Sequence, residues 1–271
     1  MQASTGLKIH FPATTELGNV PSEFWQKVKN AKTKILFLDY DGTLARFRVE
    51  RSKARPLPGI IPVLKKLIED KSAKIVVVSG RKIDELQGFL KHLPITLIGE
   101  HGWVKKYPNG KLELPKISLR QKQALKKIQE ELSRIVQKSQ LELKTCSVAL
   151  HWRGLAQKQA QNSGKIAKRI ALKFKKEKIF LERFNGGVEF KIPGMDKGKA
   201  VQKMIKALDR GSLIVYIGDD KTDESAFQAI KKIGFGIKVG ARAGRSLAHF
   251  WLKDCDSVLQ FLKRWQKLNN R

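Results

Sequence analysis

Residues 35–44 read ILFLDYDGTL, an apolar run that leads directly into two aspartates. A continuous apolar run bounded by turn residues is typical of a strand buried on both faces of a parallel sheet. In open α/β sheets the reactive crevice lies beyond the carboxyl ends of such strands. Asp39 and Asp41 are two residues apart, so in extended backbone their side chains leave the same side of the chain, and Gly42 permits a sharp turn after them. Taken alone, the pair is explained best as a strand end whose acids face water, because two carboxylates in one crevice repel unless a cation or a shared proton relieves them.

Two more segments repeat this order of strand and polar turn. Residues 74–78 lead into SGR at positions 79–81, and residues 213–217 lead into GDDKTDE at positions 218–224. If the three strands lie in one parallel sheet, these side chains meet at its edge: Asp39, Asp41, Ser79, Asp219, Asp220 and Asp223. Such a set of oxygen donors suits a hard divalent cation, and Mg²⁺ is the natural candidate. The acids of the last segment could also cap the helix that follows, which does not exclude metal binding.

A lysine lies between these segments, in the sequence DKGKAV at positions 196–201, where a helix is predicted to begin. Lys197 could hold a phosphate there and neutralise its charge. A single lysine at such a position is more often a surface residue. The glycine spacing of a nucleotide-binding P-loop is absent from this segment.

Together, DxDGT, the serine, the lysine and the acidic GDD segment resemble the haloacid dehalogenase superfamily of aspartate-nucleophile phosphatases. Four further segments are similar to those of trehalose-6-phosphate phosphatases: GEHG at 99–102, LELK at 141–144, ALHWR at 149–153 and VEFKIP at 188–193. The resemblance extends over residues 33–265. Trp152 stands where that family usually has Tyr, and Lys191 where Arg is common.

The resemblance implies a role for each motif residue. Asp39 would be the nucleophile that attacks phosphorus, and Asp41 would protonate the leaving sugar oxygen and then activate a water molecule. Ser79 and Lys197 would hold the phosphate oxygens and stabilise the charge of the transition state. Hydrolysis of trehalose 6-phosphate through an aspartyl-phosphate is the activity implied. Another glycosyl phosphate, such as glucosylglycerol phosphate or sucrose phosphate, is the alternative substrate.

The resemblance also implies Mg²⁺ as cofactor and a set of supporting residues. The metal would be held by Asp39, the backbone carbonyl of Asp41, Asp219 and Asp220. The supporting residues would be Gly42, Thr43, Gly80 and Asp223.

Sugar recognition is expected from charged residues that lie near strands. These are Arg81, Glu100, His101, Arg153, Glu189 and Lys191. A site whose buried polar groups bond sugar hydroxyls rejects a ligand that lacks the matching hydroxyl. Glu189 and Lys191 share a strand face and could instead form a surface ion pair, and His151, in an apolar strand, could equally be structural.

The alternation of strands and helices predicts an α/β fold with a doubly wound, Rossmann-like parallel-sheet core. A short helix at residues 21–31 precedes the first strand, and another follows the turn at 56–59. The middle of the chain has a different pattern: a turn at 107–110, helices at 118–138 and 157–175, and strands at 141–153 and 179–192. The resemblance implies that this part is an inserted α+β cap domain. The predicted division is therefore core residues 1–105, cap residues 106–194 and core residues 195–271.

The chain has 55 Lys and Arg against 25 Asp and Glu, a net charge of +30 in 271 residues. A solvated lysine-rich surface explains this best, incidental binding of polyanions comes second, and specific nucleic-acid recognition comes last because no RNA-recognition or zinc-finger motif is present. A basic nucleic-acid-binding protein on an inactive phosphatase scaffold is the alternative from another functional class. That alternative predicts lost pocket acids, whereas every one is retained.

No apolar run is long enough to cross a bilayer, and residues 1–20 lack the pattern of a signal peptide. A cytoplasmic protein with no membrane partner is therefore expected. Two cysteines, Cys146 and Cys255, do not make a disulfide framework.

Overall fold

The structure, a computed structural model, describes residues 20–184, 186–208, 211–242 and 244–269. Residues 1–19, the beginning of the predicted first core segment, lie outside the described residues. The strands are β1 (Lys34–Leu38), β2 (Lys74–Val78), β3 (Thr96–Gly99), β4 (Val104–Lys106), β5 (Leu112–Glu113), β6 (Leu141–Leu143), β7 (Ser147–His151), β8 (Phe180–Phe184), β9 (Gly187–Lys191), β10 (Leu213–Gly218), β11 (Gly234–Val239) and β12 (Phe250–Leu252). The α-helices are α1 (Ser22–Asn30), α2 (Ile60–Glu69), α3 (Ile83–Phe89), α4 (Leu119–Ser133), α5 (Gln157–Lys173), α6 (Lys197–Ile205), α7 (Glu224–Ile230) and α8 (Cys255–Asn269).

The larger sheet has the strand order β12-β11-β10-β1-β2-β3-β4-β5. The strands from β12 to β3 are parallel to one another, and β4 and β5 pair antiparallel at one edge. The predicted α/β class with a central parallel sheet is confirmed. Parallel alignment brings the carboxyl ends of β1, β2 and β10 to the same edge, which positions the polar segments that follow them.

Strand β1 is buried on both faces, as its apolar run predicts. Leu36 and Leu38 are fully buried in the cluster formed with α1, α2 and α8, whereas Ile35 and Phe37 pack on the opposite face with residues of α6 and α7. Successive side chains of a strand point to opposite faces, so a run without polar residues can only be accommodated between two layers of helices. The strand is thereby fixed, and the aspartates that follow it start from a rigid support.

The smaller sheet has the antiparallel order β6-β7-β9-β8 and its own apolar core beneath α4 and α5. The segment predicted as one strand at 141–153 forms two, because the chain turns back at residues 144–146, where the Lys144 amide donates to the Ser147 carbonyl. Helix α4 ends earlier than predicted. The Ser133 hydroxyl donates to the Glu130 carbonyl near this end, a local bond that competes with helix continuation.

The hairpin of β4 and β5 crosses the predicted boundary at residue 105 and stays with the larger sheet. Strand pairing joins Lys106 to Leu112, and the first strand of the smaller sheet begins at Leu141. The division of the chain into two core segments and a cap stays a prediction. Among the described helices, none combines the length and the apolar composition that crossing a membrane requires.

Gly198 lets α6 approach α7 closely. A Cβ atom at Gly198 would lie 2.3 Å from the Ser225 carbonyl oxygen, a backbone atom that cannot move without displacing α7. We expect Gly198→Ala to lower the free energy of unfolding by roughly 1–3 kcal/mol, the usual cost of overpacking. Gly88 is the matched control because it is also helical, is exposed, and has no atom within 4 Å of an added Cβ.

Gly88→Ala should therefore stabilise the protein by about 0.5–1 kcal/mol through helix propensity. Urea unfolding of both variants measures whether each substitution raises or lowers the free energy of unfolding. Equal effects of the two substitutions would contradict close packing at Gly198.

Candidate active site

Three carboxylates converge where β1 and β10 end. In the pairing of these two strands, Leu38 lies opposite Ile217. The Asp39 amide continues the pairing by donating to the Ile217 carbonyl at 2.8 Å. One carboxylate oxygen from each of Asp39, Asp219 and Asp223 lies within 4.8 Å of the others. Sequence positions about 180 residues apart thus meet because the two strands are neighbours in the sheet.

Lys197 is the cation of this cluster. It is the first residue of α6, whose N-cap is Asp196, and its Nζ donates to Oδ1 of Asp39 at 2.6 Å and to Oδ1 of Asp223 at 2.8 Å. Burial alone would lower the pKa of Lys197, but the two carboxylates outweigh burial and hold the pKa well above its usual range. Lys197 is therefore charged and aimed at the end of β1.

Asp223 is fully bonded and orients its neighbours. Besides Lys197, its Oδ1 accepts from the Tyr216 hydroxyl at 2.6 Å, and its Oδ2 accepts from the Asp220 amide at 2.9 Å. The Asp220 side chain is exposed and caps the Lys221 amide, outside this cluster. Of the two, Asp223 is the one that the structure brings to Asp39 and Asp219.

Asp219 is the carboxylate without a full set of partners. Its Oδ1 is buried and accepts no hydrogen bond from any described residue. Burial raises the pKa of Asp219 above its usual range, and repulsion from Asp39 and then Asp223 raises it further. Burial likewise raises the pKa of Asp39, although Lys197 opposes the effect. One lysine does not balance three neighbouring carboxylates, two of them buried and one half-buried, so the cluster is electrostatically suited to a second cation.

Two of the predicted supporting glycines make close approaches. Gly42 has φ +78°, and a Cβ there would lie 2.2 Å from Oδ2 of Asp219. A Cβ at Gly80 would lie 2.6 Å from the His101 ring. The turn after Asp41 and the turn after Ser79 therefore both need glycine. Thr43 is fully buried beside the first turn, where its amide donates to the Tyr40 carbonyl.

Asp41 is not one of the three clustered carboxylates and pairs with Arg81. The guanidinium donates through Nη2 to Oδ1 of Asp41 at 2.6 Å and through Nε to Oδ2 at 2.7 Å, a bidentate ion pair. Ser79 is buried at the end of β2, and its hydroxyl accepts from the Arg81 amide at 3.3 Å. The DxDGT and SGR turns are thus joined directly.

Apart from Arg81, which binds Asp41, the residues predicted to recognise the sugar fall into two groups. Glu100 and His101 connect the larger sheet to the smaller one: Glu100 accepts from the Thr145 amide at 2.7 Å, and Nε2 of His101 lies 3.3 Å from Glu189. Glu189 also accepts from Lys144 at 2.9 Å. The second group lies elsewhere in the smaller sheet or at its edge.

In that second group, Lys191 pairs with Glu182 on the neighbouring strand β8, so it does not form the ion pair with Glu189 that was the alternative explanation. Arg153 donates to the Arg48 carbonyl at 3.1 Å.

Burial lowers the pKa of His101, which favours its neutral form, although Glu189 opposes the effect.

A family model described as trehalose-phosphatase matches residues 37–253, which include the smaller sheet, the larger sheet except the first three residues of β1, and every residue of the carboxylate cluster. The chain belongs to the trehalose-phosphatase family. The resemblance seen in the sequence is thereby confirmed. Phosphatases of this family normally use a metal ion, and Asp39, Asp219 and Asp223 of this chain lie close enough together to hold one.

Curated relatives of this family member come from distant organisms. The chain is 31% identical over 259 residues to UDP-forming alpha,alpha-trehalose-phosphate synthase B of Dictyostelium discoideum, covering 91% of this chain and 32% of the relative. It is 30% identical to the bifunctional trehalose-6-phosphate synthase/phosphatase of Thermoproteus tenax, covering 86% and 32%. It is 29% identical to probable trehalose-phosphate phosphatase I of Arabidopsis thaliana, covering 90% and 71%. The chain thus spans about a third of the length of the first two relatives.

Solved structures share the fold of this trehalose-phosphatase family member. The C-terminal domain of Candida albicans trehalose-6-phosphate phosphatase superposes with a TM-score of 0.79 at 19% identity, covering 96% of this chain and 99% of that one. A trehalose-6-phosphate phosphatase related protein gives 0.73 at 26% identity, covering 87% and 98%. A haloacid dehalogenase-like hydrolase from B. subtilis gives 0.59 at 16% identity, covering 85% and 99%. The fold is that of haloacid dehalogenase-like hydrolases.

Sequence reasoning missed several charged residues near the site. Glu142 and Lys144 stand in the LELK segment that carries the family resemblance, and the structure places Lys144 against Glu189 and Glu142 near His151. Their spacing of two residues, typical of side chains on one face of an extended segment, was a usable signal. Arg51 lies in a segment without a motif, so nothing in the sequence indicates that it contacts Glu142.

Glu142 should make stability depend on pH. Burial would raise its pKa, but the hydrogen bond with His151, then Lys144 and Arg51, lower the pKa from 4.5 to about 2. Because the pKa of Glu142 is lower in the folded state than in the unfolded state, the ionised carboxylate stabilises the folded protein above the unfolded-state pKa. This stabilisation is lost as the pH falls toward the folded-state pKa. We expect Glu142→Gln to lower the free energy of unfolding by up to roughly 3 kcal/mol at neutral pH.

The difference from the wild type should shrink as the pH of urea unfolding is lowered through about 4. Glu130→Gln is the control, because Glu130 is exposed and pairs only weakly with Lys126, at 4.0 Å. A stability difference for Glu142→Gln that does not vary with pH would contradict this assignment.

Proposed function

We propose that this chain is a Mg²⁺-dependent phosphatase that hydrolyses trehalose 6-phosphate to trehalose and phosphate through an aspartyl-phosphate on Asp39. The observation that carries the proposal is the placement of Asp39. Asp39 lies at the carboxyl end of β1, accepts a hydrogen bond from Lys197 and lies beside Asp219. The chain that carries it belongs to the trehalose-phosphatase family. The names of the relatives support the substrate, since several are called trehalose-phosphate phosphatases.

The residues fit a divalent cation. The buried Oδ1 of Asp219 accepts no hydrogen bond from the described residues, and burial together with neighbouring carboxylates raises the pKa of Asp219. Asp39, Asp219 and the Asp41 carbonyl would hold the ion, with Asp220 as a further predicted ligand. Mg²⁺ suits a site with few carboxylates plus water and phosphate oxygens. When bound, it would keep Asp39 ionised and neutralise charge on the phosphoryl group.

The chain's own residues would then carry out two displacements at phosphorus. A carboxylate oxygen of Asp39 forms a bond to phosphorus while the bond to the sugar oxygen breaks, and Asp41, protonated in the substrate complex, gives its proton to that oxygen. In the second step Asp41 takes a proton from the water that attacks the aspartyl-phosphate, which frees Asp39 and inorganic phosphate. Lys197 and Ser79 would stabilise the charge on the phosphate oxygens.

The smaller sheet would hold the trehalose moiety. Glu189 and His101 face each other across the two sheets, and Glu100 fixes Thr145 at the turn between β6 and β7. Buried acids of this kind accept hydrogen bonds from sugar hydroxyls and discriminate against sugars without them. Arg153 and Lys191 are proposed as further contacts, and Arg81 as the residue that orients Asp41.

A panel of sugar phosphates tests substrate and metal together. We expect the highest kcat/KM for trehalose 6-phosphate over sucrose phosphate and glucosylglycerol phosphate, with loss of phosphate release in EDTA. Added Mg²⁺ should restore activity better than Ca²⁺, because the larger ion prefers more oxygen ligands at longer distances. Full activity in EDTA would contradict the metal, and a higher kcat/KM for another sugar phosphate would contradict the substrate.

A further inference from the structure

A line of alternating charges runs from the end of β1 to the smaller sheet. We name this line the charge chain; its members are Asp41, Arg81, Glu85, Arg51 and Glu142. Arg81 binds both Asp41 and Glu85, and Nη2 of Arg51 lies 3.5 Å from Oε2 of Glu85. Arg51 then donates to Glu142 on β6. Each charged group therefore has neighbours of the opposite sign.

Arg81 is fixed at the β1 end of the charge chain. Its side chain is 2% exposed, and its guanidinium lies over the rings of Tyr40 and Phe89 at 5.2 and 5.1 Å. Its nitrogens donate to both oxygens of Asp41 and to Glu85. A planar guanidinium held by rings and by several acceptors has little freedom to rotate. The orientation of Asp41 is thereby set by Arg81.

Arg51 connects this fixed group to the smaller sheet. It lies in the segment between β1 and α2, and its carbonyl accepts from Nη1 of Arg81 at 3.2 Å. Its own Nη1 donates to Glu142 on β6 and lies 3.2 Å from Nε2 of His151 on β7. One residue thus contacts both the arginine that orients Asp41 and two strands of the smaller sheet.

We propose that Arg51 is a positioning residue that couples the placement of the smaller sheet to the orientation of Asp41 through Arg81. The inference rests on the proposed function, since it takes Asp41 as the proton donor and the smaller sheet as the part that holds the sugar. Proton transfer needs the sugar oxygen and the Asp41 carboxyl group within hydrogen-bond distance of each other. Because the sugar is held by one sheet and Asp41 by the other, a contact between the two sheets sets that distance.

The consequence differs between two kinds of substrate. A sugar phosphate has a poor leaving group that needs the proton of Asp41 and contacts from the smaller sheet. p-Nitrophenyl phosphate releases a stable phenolate, so the transfer of its phosphoryl group to Asp39 needs neither. The second step, in which Asp41 activates water, is common to both substrates; its slowing lowers kcat but not kcat/KM, which reports only the steps up to release of the leaving group. The kcat/KM for p-nitrophenyl phosphate therefore depends on Asp39 and Lys197 but not on Arg51.

Arg51→Ala tests this difference. We expect kcat/KM for trehalose 6-phosphate to fall roughly tenfold to a hundredfold, mainly through kcat, as misplacement of reacting groups produces. The kcat/KM for p-nitrophenyl phosphate should change little. Arg51→Lys should restore only part of the loss, because lysine keeps the charge without the fork of donors. The variant should fold, since Glu85 keeps Arg81 and Glu142 keeps Lys144 and His151.

Arg46→Ala is the matched control. Arg46 lies in the same segment, pairs with Asp256, and both side chains are more than half exposed, so neither substrate should be affected. Combining Arg51→Ala with Glu142→Gln should lower kcat for trehalose 6-phosphate no further than Glu142→Gln alone, if Arg51 acts through Glu142.

Three results would each overturn the role of Arg51. These are an equal loss of kcat/KM on both substrates, no loss of kcat/KM on either, and additive losses of kcat in the double variant. If the wild type hydrolyses another sugar phosphate better, the same comparison is made with that compound in place of trehalose 6-phosphate. A wild type that hydrolyses no phosphate ester overturns the proposed function itself, and the inference with it.

Discussion

Asp39→Asn should abolish phosphate release from trehalose 6-phosphate while the protein stays folded. An amide cannot displace the sugar from phosphorus, so we expect kcat to fall by at least about 10⁴-fold, as losses of catalytic nucleophiles do. Burial raises the pKa of Asp39, which means that the folded state disfavours its charged form. The neutral asparagine should therefore not lower the free energy of unfolding at neutral pH.

The measurements are phosphate release and urea unfolding of the same preparations. Asp256→Asn is the control, because Asp256 is an exposed acid that pairs with Arg46 at the surface, and its activity should equal that of the wild type. Substantial turnover by Asp39→Asn would remove the nucleophile assignment.

Lys197→Met should be the most damaging single change to stability in the site. The substitution leaves Asp39, Asp219 and Asp223 together without their cation. Removing one partner of a buried ion pair costs about 3–5 kcal/mol, because the remaining charge is uncompensated. We expect a loss of that size in urea unfolding at neutral pH without metal. Phosphate release should fall by roughly 10²–10³-fold if folding is retained.

Lys199→Met is the matched control on the same helix. Lys199 is 54% exposed and its Nζ lies 3.9 Å from Asp196, so the substitution should change stability by less than about 0.5 kcal/mol. The effect of Lys197→Met should lessen as the pH falls, since protonation neutralises the carboxylates. Equal stability of the two lysine variants would contradict the electrostatic description of the cluster.

The sequence was sufficient for the parts of the fold that depend on local pattern. The apolar run of β1 requires burial on both faces, and the glycine and acids after it mark the carboxyl end of the strand. The meeting of Asp39 and Asp219 follows from one further assumption, that the strands are parallel neighbours, whereas the place of Lys197 in the site follows from the resemblance. In each case the physical constraint acts within a few residues or within the sheet.

Side-chain pairing across the two sheets could not be predicted in the same way. The bidentate bond between Arg81 and Asp41, and the contact of Arg51 with Glu142, depend on where the smaller sheet packs. Asp223 rather than Asp220 joins the carboxylate cluster because the turn before α7 points one side chain inward and leaves the other to cap Lys221. Neighbouring acids in a turn look alike in sequence.

A crystal structure with Mg²⁺ and trifluoroberyllate, which mimics a phosphoryl group on a carboxylate, tests the central claim most directly. The account predicts beryllium bonded to an oxygen of Asp39, fluorines facing Lys197 and Ser79, and Mg²⁺ against Asp219. Beryllium on another residue, or Mg²⁺ bound away from Asp39 and Asp219, would contradict it.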